Sequence, residues 1–289
     1  MQKSLGKIAT TRPTGRQKGF RERYGPWAVV TGASDGIGRE MAVCLAQDGL
    51  DLVLVARRKA NLEALAGELA RAHGIRTLVI AADLGTKAGI ESVLKGTNRL
   101  ETGLLVAAAG FGTSGPFIDA SLEQELSMID VNCRAVVELS HAFGARFARQ
   151  KRGGLVLMSS LVAFQGVPRA ANYAATKAFI QTFAEGVRAE LKPFGVDVIA
   201  SAPGPVHSGF ASRASMTMSK AASSRTVAEQ TLKALGNVGT VRPGFLSKLL
   251  EFSLMFLPRF GRVRMMGVVM AGMTRRPAGA SANLREGIQ

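Results

Sequence analysis

The chain has 289 residues, and 47% of them are hydrophobic, so it can bury one large core and we expect a single domain with appendages. Its formal net charge is +16, to which residues 1–26 and 242–289 each contribute +6, so the segment between them is nearly balanced. The only cysteines, Cys44 and Cys133, lie in apolar helical patterns, which favours two buried thiols in a cytoplasmic protein over a disulfide-stapled secreted one.

The basic N-terminal extension, residues 1–26, holds seven Lys/Arg and one Glu. Such a segment suits an anionic partner, whether membrane headgroups, nucleic acid or an acidic protein, but a solvated and partly disordered tail is the favoured interpretation. It has no apolar stretch of the length that a secretory signal needs, so we do not expect export. Its Arg, Ser and Thr content with almost no acid is weakly compatible with an organelle presequence.

Short apolar runs alternate with longer helical patterns from Trp27 onward. The runs are rich in Val, Ile and Leu without polar alternation, which is typical of parallel strands buried on both faces. They are residues 27–31, 51–56, 76–81, 103–108, 154–159 and 196–201, with a seventh short strand near 239–243. The segments between them, such as 59–73 and 121–149, have apolar residues three and four apart. The sequence therefore predicts an α/β fold, with one doubly wound parallel sheet over residues 27–243.

The segment TGASDGIG, residues 31–38, joins the first predicted strand to a helix through a glycine turn. Gly32, Gly36 and Gly38 would let the backbone approach a pyrophosphate, and the helix that starts near Gly36 offers unpaired N–H groups and its positive end. A plain strand-to-helix turn explains the glycines equally well when they are considered alone. Their position after the first buried strand favours a nucleotide, because the crevice at the carboxyl ends of the strands opens there.

The second predicted strand ends in ARRK, residues 56–59, with no carboxylate. An enzyme that prefers NAD carries an acid here for the ribose hydroxyls, whereas arginine suits the 2′-phosphate of NADP. We therefore expect NADP(H) bound by Arg57, while Arg58 and Lys59 are typical of a solvated helix start. Asp83, after the third strand, is a candidate acceptor for an adenine amino group, and a helix cap is the alternative.

A tyrosine, a lysine, a serine and an asparagine form the second candidate site. Tyr173 and Lys177 lie one helical turn apart. Free tyrosine has a pKa of about 10, so proton exchange at neutral pH needs a nearby cation such as this ammonium. Ser160 ends the fifth strand, where it can reach a carbonyl that Tyr173 also touches, and Asn132 on the fourth helix could hold a water behind Lys177. Each residue alone has an ordinary structural explanation, but together with the glycine turn they form one constellation.

The order and spacing of these motifs resemble the short-chain dehydrogenase/reductase family over roughly residues 27–243. The motifs are TGASDGIG, Asp83, Asn132, Ser160, YAATK at 173–177 and APG at 202–204. The resemblance implies a Rossmann fold, a nicotinamide cofactor and a catalytic tetrad. Tyr173 would be the general acid in reduction and Ser160 would polarise the carbonyl. Lys177 would lower the tyrosine pKa and hold the nicotinamide ribose, and Asn132 would order a relay water.

Within the family, YGPWAVVTGASDGIG with the ARR motif resembles the branch of very-long-chain 3-ketoacyl and 17β-hydroxysteroid reductases. The resemblance also implies a cofactor site along the strand ends, and no metal site is predicted. The implied cofactor residues are Gly32, Ser34, Asp35, Gly36, Ile37, Gly38, Arg57, Asp83, Gly110, Tyr173, Lys177, Pro203, Gly204, Val206 and Ser208. One departure affects this site: where the family has Asn-Asn-Ala-Gly or Asn-Ala-Gly after the fourth strand, this chain has Ala107, Ala108, Ala109 and Gly110, so it lacks the amides that tie neighbouring strands and line the cofactor floor. Cofactor affinity is the property that this departure puts in question.

Residues 204–220 lie where the family has its mobile substrate loop. Met216 and Met218 suit an adaptable apolar wall there, Ser208 suits a contact with the carboxamide end of the cofactor, and His207 is expected to have no role. The C-terminal extension, residues 244–289, is bulky, Met-rich and scattered with arginine. Its charges interrupt every run before about 18 apolar residues, so we expect no spanning helix. An amphipathic helix at a membrane interface explains it as well as a lid over the substrate pocket or a subunit contact.

The sequence therefore predicts an NADPH-dependent reductase of a lipophilic ketone or aldehyde, reversible as an alcohol dehydrogenase. Fatty-acyl, steroid and retinoid carbonyls are the candidate substrates. The expected partners are the substrate, a second copy of the chain and a membrane surface, but not nucleic acid, because one Trp and two Tyr do not interleave with the basic residues. The alternative is an NADP(H)-binding regulator with little catalysis, suggested by the alanines at 107–109 and opposed by the intact tetrad.

Overall fold

A parallel sheet of seven strands forms the centre of the molecule. The computed structural model describes residues 15–207, 221–244 and 257–273. The sheet consists of β1 (Trp27–Thr31), β2 (Asp51–Ala56), β3 (Thr77–Ala81), β4 (Thr102–Ala107), β5 (Gly153–Met158), β6 (Val196–Ser201) and β9 (Thr240–Val241), and a separate parallel pair consists of β7 (Val206–His207) and β8 (Ala222–Ser223). All seven apolar runs are strands, which confirms the predicted α/β class.

The strand order is β3-β2-β1-β4-β5-β6-β9, and all neighbouring strands are parallel. The chain moves outward from β1 to β3 and then returns to place β4 beside β1, so the direction of winding reverses between these two strands. In open parallel sheets, ligands bind in the crevice beyond the carboxyl ends of the strands at such a reversal. Strands β1, β4 and β5 are buried along their whole length, as expected for continuous apolar runs covered on both faces.

Helices cover both faces of the sheet. They are α1 (Gly15–Tyr24), α2 (Gly36–Gln47), α3 (Lys59–His73), α4 (Lys87–Gly96), α5 (Leu122–Ile129), α6 (Ala135–Gln150), α7 (Ala171–Leu191), α8 (Ser224–Ala234) and α9 (Arg259–Met273). One core packs α2, α3 and α8 against the sheet through residues such as Met41 and Val227. The other core packs α4, α6 and α7 through residues such as Phe143 and Ile180. The doubly wound arrangement is therefore confirmed.

The two cysteines are free thiols, as predicted. Cys44 is buried on α2, and this burial raises the pKa of its thiol to about 11. Cys133 is only partly buried, so full burial was the wrong expectation for this residue. Burial still raises the pKa of the Cys133 thiol, while the charge of Lys177 acts in the opposite direction.

Helix α1 packs against β4 and β5 and anchors the chain at the amino-terminal edge of the sheet. Tyr24 is only 3% exposed, and its hydroxyl donates a 2.6 Å hydrogen bond to Asp197 Oδ2 near the start of β6. Arg23 Nε donates to the same oxygen at 2.6 Å. Gly154 leaves room for the tyrosine ring, because a Cβ at this position would lie 3.0 Å from a ring carbon. The expectation of a partly disordered tail is therefore wrong for residues 15–24, which form a helix, while the expectation of a solvated segment holds for residues 18, 19 and 21–23, which are exposed.

Helix α9 is the described helix of the C-terminal extension, and it packs on the start of α7. Met270 is 4% exposed and lies in a small core with Val167, Ala170 and Ala174. Within the described ranges, no helix is both long enough and apolar enough to cross a membrane. The residues between 245 and 256, on which the interfacial helix was mainly predicted, lie outside the described residues.

Candidate active site

The turn between β1 and α2 brings the backbone close to the neighbouring strand. Gly32 has a φ of 68°, and a Cβ there would lie 2.9 Å from the carbonyl oxygen of Ala108. A Cβ on Gly38, in the first turn of α2, would overlap the carbonyl oxygen of Gly32. Ile37 packs against the core that includes Met41. The structure thus has the strand, glycine turn and helix start that a pyrophosphate site requires.

Side chains around this turn carry both signs of charge. Asp35 caps α2, since its Oδ1 accepts a 2.7 Å hydrogen bond from the Gly36 N–H. Arg58 Nη2 donates to Ser34 Oγ at 3.3 Å and lies 3.7 Å from Asp35 Oδ2. Arg57 is exposed, and its guanidinium makes no hydrogen bond or ion pair with the described residues. Arg58 directly precedes α3 and is exposed, as expected for a solvated helix start, and its side chain also contacts the turn.

Asp83 follows β3 and is exposed. Its Oδ1 accepts a 3.0 Å hydrogen bond from the Gly85 N–H, which closes a tight turn. The cap of α4 is Thr86, whose hydroxyl accepts from the Gly89 N–H at 3.1 Å. Asp83 is therefore not the helix cap, and its contact with an adenine stays a prediction.

The alanines at 107–109 are tied to β1 by a threonine. Thr31 is 1% exposed, and its Oγ1 accepts hydrogen bonds from the Ala108 and Ala109 N–H groups, both at 3.0 Å. The same hydroxyl donates to the Val106 carbonyl oxygen at 3.3 Å. These contacts use its one donor and both of its acceptor positions. Thr31 thus makes a tie between neighbouring strands of the kind that the missing amides would make, and the sequence reasoning did not single it out.

A π-helical turn over Asp130–Arg134 interrupts the predicted helix 121–149. It carries Asn132, which is 1% exposed. Asn132 Nδ2 donates to the Phe111 carbonyl oxygen at 2.9 Å and to Thr176 Oγ1 at 3.1 Å, and Oδ1 accepts from the Phe111 N–H at 3.1 Å. Such turns are frequent at functional sites. Asn132 therefore joins the loop after β4 to α7, and its role in holding a water stays a prediction.

The side chains of Ser160, Tyr173 and Lys177 meet beyond the end of β5. Ser160 and Tyr173 share a side-chain hydrogen bond. Lys177 Nζ lies 5.7 Å from the centroid of the Tyr173 ring and donates a 2.8 Å hydrogen bond to the Met158 carbonyl oxygen. Ser160 and Lys177 are both buried. The three residues that the sequence predicted to act together are therefore close in space.

Burial dominates the titration of this group. It raises the pKa of Tyr173 to about 12, and the hydrogen bond with Ser160 acts in the opposite direction. It also lowers the pKa of Lys177 to about 8. At neutral pH the phenol therefore keeps its proton and the ammonium remains largely charged. The expected lowering of the tyrosine pKa by Lys177 is not present in this arrangement, where the ammonium is bonded to the Met158 carbonyl.

Gly110 lies between two members of the tetrad. A Cβ at this position would lie 3.0 Å from Asn132 Oδ1 and 3.5 Å from Lys177 Nζ. Beyond β6, the Pro203 carbonyl oxygen accepts a 2.9 Å hydrogen bond from the Leu161 N–H. This bond places the APG turn beside the loop that carries the serine, so the predicted cofactor residues of both segments border one crevice.

The remaining predicted cofactor residues follow the APG turn. Gly204 is partly exposed, and Val206 is buried where β7 pairs with β8. Ser208, Met216 and Met218 lie outside the described residues. Their predicted contacts with cofactor and substrate stay predictions.

A buried glutamate holds the residue that directly precedes the tyrosine. Glu125 on α5 is 6% exposed, and its Oε1 accepts a 2.5 Å hydrogen bond from Thr113 Oγ1. Asn172 Nδ2 donates to Glu125 Oε2 at 2.7 Å and to the Glu125 carbonyl oxygen at 2.9 Å. Asn172 directly precedes Tyr173. No sequence signal pointed to this network, because Glu125 is one of several acids in and around a short helix that looks exposed.

Helix α9 forms an apolar wall beside the tyrosine. Met266, Val162 and Tyr173 pack against the small core that contains Met270. Methionine is flexible and polarizable, so such a wall can adapt to apolar substrates of different shape. This contact favours the lid among the functions considered for the C-terminal extension.

The donors along the crevice fit a phosphorylated dinucleotide. The close backbone at Gly32 and Gly38 and the start of α2 suit a pyrophosphate. The guanidinium of Arg57 is available for a further phosphate within the described structure, and Arg58 lies next to it. In the described residues, no cluster of three or more His, Cys, Asp or Glu side chains could hold a metal ion.

Comparisons with known proteins agree with this geometry. The family model described as short chain dehydrogenase matches residues 26–219. The 7beta-hydroxysteroid dehydrogenase of Collinsella aerofaciens is 34% identical over 179 residues, which cover 62% of this chain and 68% of that protein. The very-long-chain 3-oxoacyl-CoA reductase of Anas platyrhynchos is 35% identical over 204 residues, which cover 68% of this chain and 65% of that protein.

Solved structures of other proteins superpose on this chain. A 7beta-hydroxysteroid dehydrogenase structure superposes with a TM-score of 0.80 at 28% identity, over 86% of this chain and 98% of that one. A short-chain dehydrogenase from Sphingobium yanoikuyae in complex with NADPH superposes with a TM-score of 0.73 at 28% identity, over 81% of this chain and 97% of that one.

Proposed function

Since the chain belongs to the short-chain dehydrogenase/reductase family, and is therefore an NADP(H)-dependent oxidoreductase of alcohols and carbonyl compounds, we propose that it works as a reductase of a lipophilic ketone or aldehyde. The observation that carries the proposal is the meeting of Ser160, Tyr173 and Lys177 beside the glycine turn. A phenol, a hydroxyl and an ammonium in one buried crevice supply a proton donor, a hydrogen-bond donor and a positive charge.

The cofactor would be held along the carboxyl ends of the strands. The glycine turn suits its pyrophosphate, Arg57 and Arg58 suit its 2′-phosphate, and Lys177 suits the hydroxyls of the nicotinamide ribose. When bound, the nicotinamide supplies the hydride that reduces the carbonyl carbon. Thr31 fixes the alanine segment that forms the floor of this site.

The proton is assigned to Tyr173. In reduction the phenol donates it to the carbonyl oxygen, while Ser160 donates a hydrogen bond to the same oxygen as negative charge develops there. Because burial raises the pKa of Tyr173 to about 12, the phenol is in its donating form at neutral pH. Alcohol oxidation would need the deprotonated form, so we expect oxidation to require a higher pH than reduction.

The decisive experiment compares the two tyrosines of the chain. Tyr173→Phe should leave the Kd for NADPH within about twofold and lower turnover by about 10² to 10⁴, the range that a general acid contributes. Tyr24→Phe removes the only other phenol, at the opposite edge of the sheet, and should keep turnover. Substantial turnover in Tyr173→Phe would refute the assignment of the proton donor.

The apolar character of the substrate rests on the wall formed by α9. Met266 and Met270 lie in or against the same small core as the Tyr173 side chain, so methionine contributes to the apolar surroundings of this residue. The relatives named for hydroxysteroids and for long 3-oxoacyl chains support the same class. Fatty-acyl, steroid and retinoid carbonyls are the proposed candidates, and NADPH consumption with a graded series of ketones and aldehydes tests them.

Association with membranes and with a second copy is proposed on exposed apolar side chains. Val268 and Val269 on α9 are exposed, which suits peripheral contact of a cytoplasmic enzyme with a membrane surface. Leu122 and Leu126 are exposed on α5, which suits a homo-oligomer. Vesicle sedimentation tests the membrane contact, and light scattering tests the homo-oligomer.

We also propose that residues 27–243 are the catalytic domain, flanked by the extensions 1–26 and 244–289.

A further inference from the structure

A cavity of about 710 Å³, wide open to solvent, lies at the surface between α9 and the loop that leads into α7. The Phe260 side chain at its border is 77% exposed, so a ligand here would be covered on one side only. Its lining residues are Pro168, Arg259, Phe260, Val263, Arg264 and Gly267. The lining is apolar except for two guanidinium groups, so the cavity suits a molecule with a hydrocarbon body and a negative charge.

The cavity lies close to the wall of the proposed active site. A Cβ on Gly267 would lie 3.3 Å from Pro168, so α9 and the loop are in contact there. Met266, the neighbour of Gly267, packs against the same small core as Tyr173. Helix α9 thus packs against the core beside the tyrosine through Met266 and Met270, and it lines the cavity through residues between Arg259 and Gly267. An extended substrate could therefore contact both places.

The two arginines are available for an external anion. Neither the Arg259 nor the Arg264 guanidinium makes a hydrogen bond or ion pair with any residue in the described ranges, and residues 257–273 contain no Asp or Glu. Arg262 differs, since its Nε donates a 2.8 Å hydrogen bond to the Leu257 carbonyl oxygen. Arginine recognises a carboxylate through its planar set of donors.

We propose that this cavity binds the carboxylate end of the substrate, and that Arg259 and Arg264 determine specificity for it. The proposal rests on the proposed reductase function and narrows it to ketones that combine an apolar body with a distant acid. Along α9, Arg264 lies six residues before Met270 and Arg259 lies eleven before it. At 1.5 Å per residue these separations are roughly 9 and 17 Å along the axis of α9, whereas Met266 lies only two residues from Arg264, so the arginines begin next to the methionines and extend away from them.

The test uses a matched pair of probes, a long-chain oxo carboxylic acid with its ketone near the middle of the chain and the methyl ester of the same acid. Initial rates are measured with NADPH as cofactor. The concentrations of both probes are kept below those at which the probes form micelles. Wild type should prefer the acid in kcat/KM by at least about fivefold, as expected for a partly exposed charge-assisted contact. Added salt should reduce this preference.

Arg264→Gln and Arg259→Gln should each lower kcat/KM for the acid about fivefold, mainly through KM, and leave the ester within about twofold. Arg71→Gln, an equal change of charge on the exposed surface of α3, is the control and should leave kcat/KM for both the acid and the ester unchanged. An acid-to-ester ratio that is the same in wild type and in both α9 variants would overturn the proposal.

Two further outcomes separate this proposal from its alternatives. If neither probe is reduced while short neutral ketones are, the carboxylate site is wrong and the reductase function stands. If no carbonyl compound is reduced, the function itself fails. If Arg264→Gln weakens sedimentation with anionic vesicles and leaves the acid-to-ester ratio unchanged, the arginines serve a lipid surface and the substrate proposal is overturned.

Discussion

The hydroxyl of Thr31 should contribute far more to stability than its size suggests. Thr31→Val keeps the shape of the side chain and removes the oxygen that accepts from the Ala108 and Ala109 N–H groups at 3.0 Å. Both N–H groups would then be unpaired next to a residue that is 1% exposed. An unsatisfied buried donor costs about 1–3 kcal/mol, and because Ala108 and Ala109 are only partly buried, we expect the two donors together to lower the free energy of unfolding by about 2 kcal/mol.

The chain provides two matched controls for this measurement. Thr31→Ser keeps the hydroxyl and removes one methyl group, so it should cost only about 1 kcal/mol. Thr102→Val removes a buried hydroxyl that has no hydrogen-bond partner in the described structure, so it should be neutral or slightly stabilising. Urea unfolding followed by the fluorescence of Trp27, the single tryptophan, and by circular dichroism gives the three values.

The comparison has a clear outcome. The expected order of destabilisation is Thr31→Val, then Thr31→Ser, then Thr102→Val. If Thr31→Val costs no more than Thr31→Ser, the hydroxyl does not replace the missing amides. The Kd for NADPH provides a second measure, because the segment from Ala108 to Gly110 borders the tetrad: it should rise in Thr31→Val and stay near the wild-type value in Thr31→Ser.

Three more predictions concern charged side chains in the crevice and behind it. Burial lowers the pKa of Lys177 from 10.5 to about 8, so above pH 8 the unfolded chain binds this proton more strongly than the folded chain does. Between pH 8 and pH 9 the free energy of unfolding of wild type, measured with urea, should therefore rise by about 1 kcal/mol more than that of Lys177→Met. An equal dependence on pH in the two proteins would contradict the buried ammonium. Arg57→Gln should raise KM for NADPH about tenfold or more in initial-rate measurements and leave KM for NADH unchanged, because a charge-assisted contact with the 2′-phosphate is lost. An equal rise in KM for both cofactors would contradict the assignment of Arg57 to the 2′-phosphate. Glu125→Ala should lower kcat with little change in KM, because the Asn172 amide loses its carboxylate acceptor. Glu125→Gln should keep most of the rate, because its oxygen can still accept from Asn172 and its amide can donate to the Thr113 hydroxyl. A shift in KM alone would speak against positioning of the tyrosine.

The strands and the glycine turn could be predicted because their signals are local. Continuous apolar runs mark strands buried on both faces, and the run at 51–56 coincides with β2. The turn after β1 needs glycine because of close backbone contacts that hold in any such fold. The meeting of Ser160 with Tyr173 followed from topology, since strand ends of a parallel sheet open into one crevice.

What the sequence did not reveal depends on contacts between distant segments. The segment that forms helix α1 resembles a disordered tail in sequence, because its order depends on packing against the sheet and on the hydrogen bond from Tyr24 to Asp197. The break in the helix at Asp130–Arg134 has no proline or glycine to announce it. Thr31 and Glu125 carry ordinary residue types, and their importance comes from the partners that tertiary structure brings to them.

The docking of Tyr24 has a practical consequence for anyone who shortens this protein. The matched family region begins at residue 26, so trimming to that boundary would look safe. It would nevertheless remove the Tyr24 ring that packs over Gly154, together with the hydroxyl and the guanidinium that donate to the Asp197 carboxylate. An affinity tag or fusion partner therefore belongs ahead of residue 15, since the smallest version expected to stay intact is longer than the family boundary suggests.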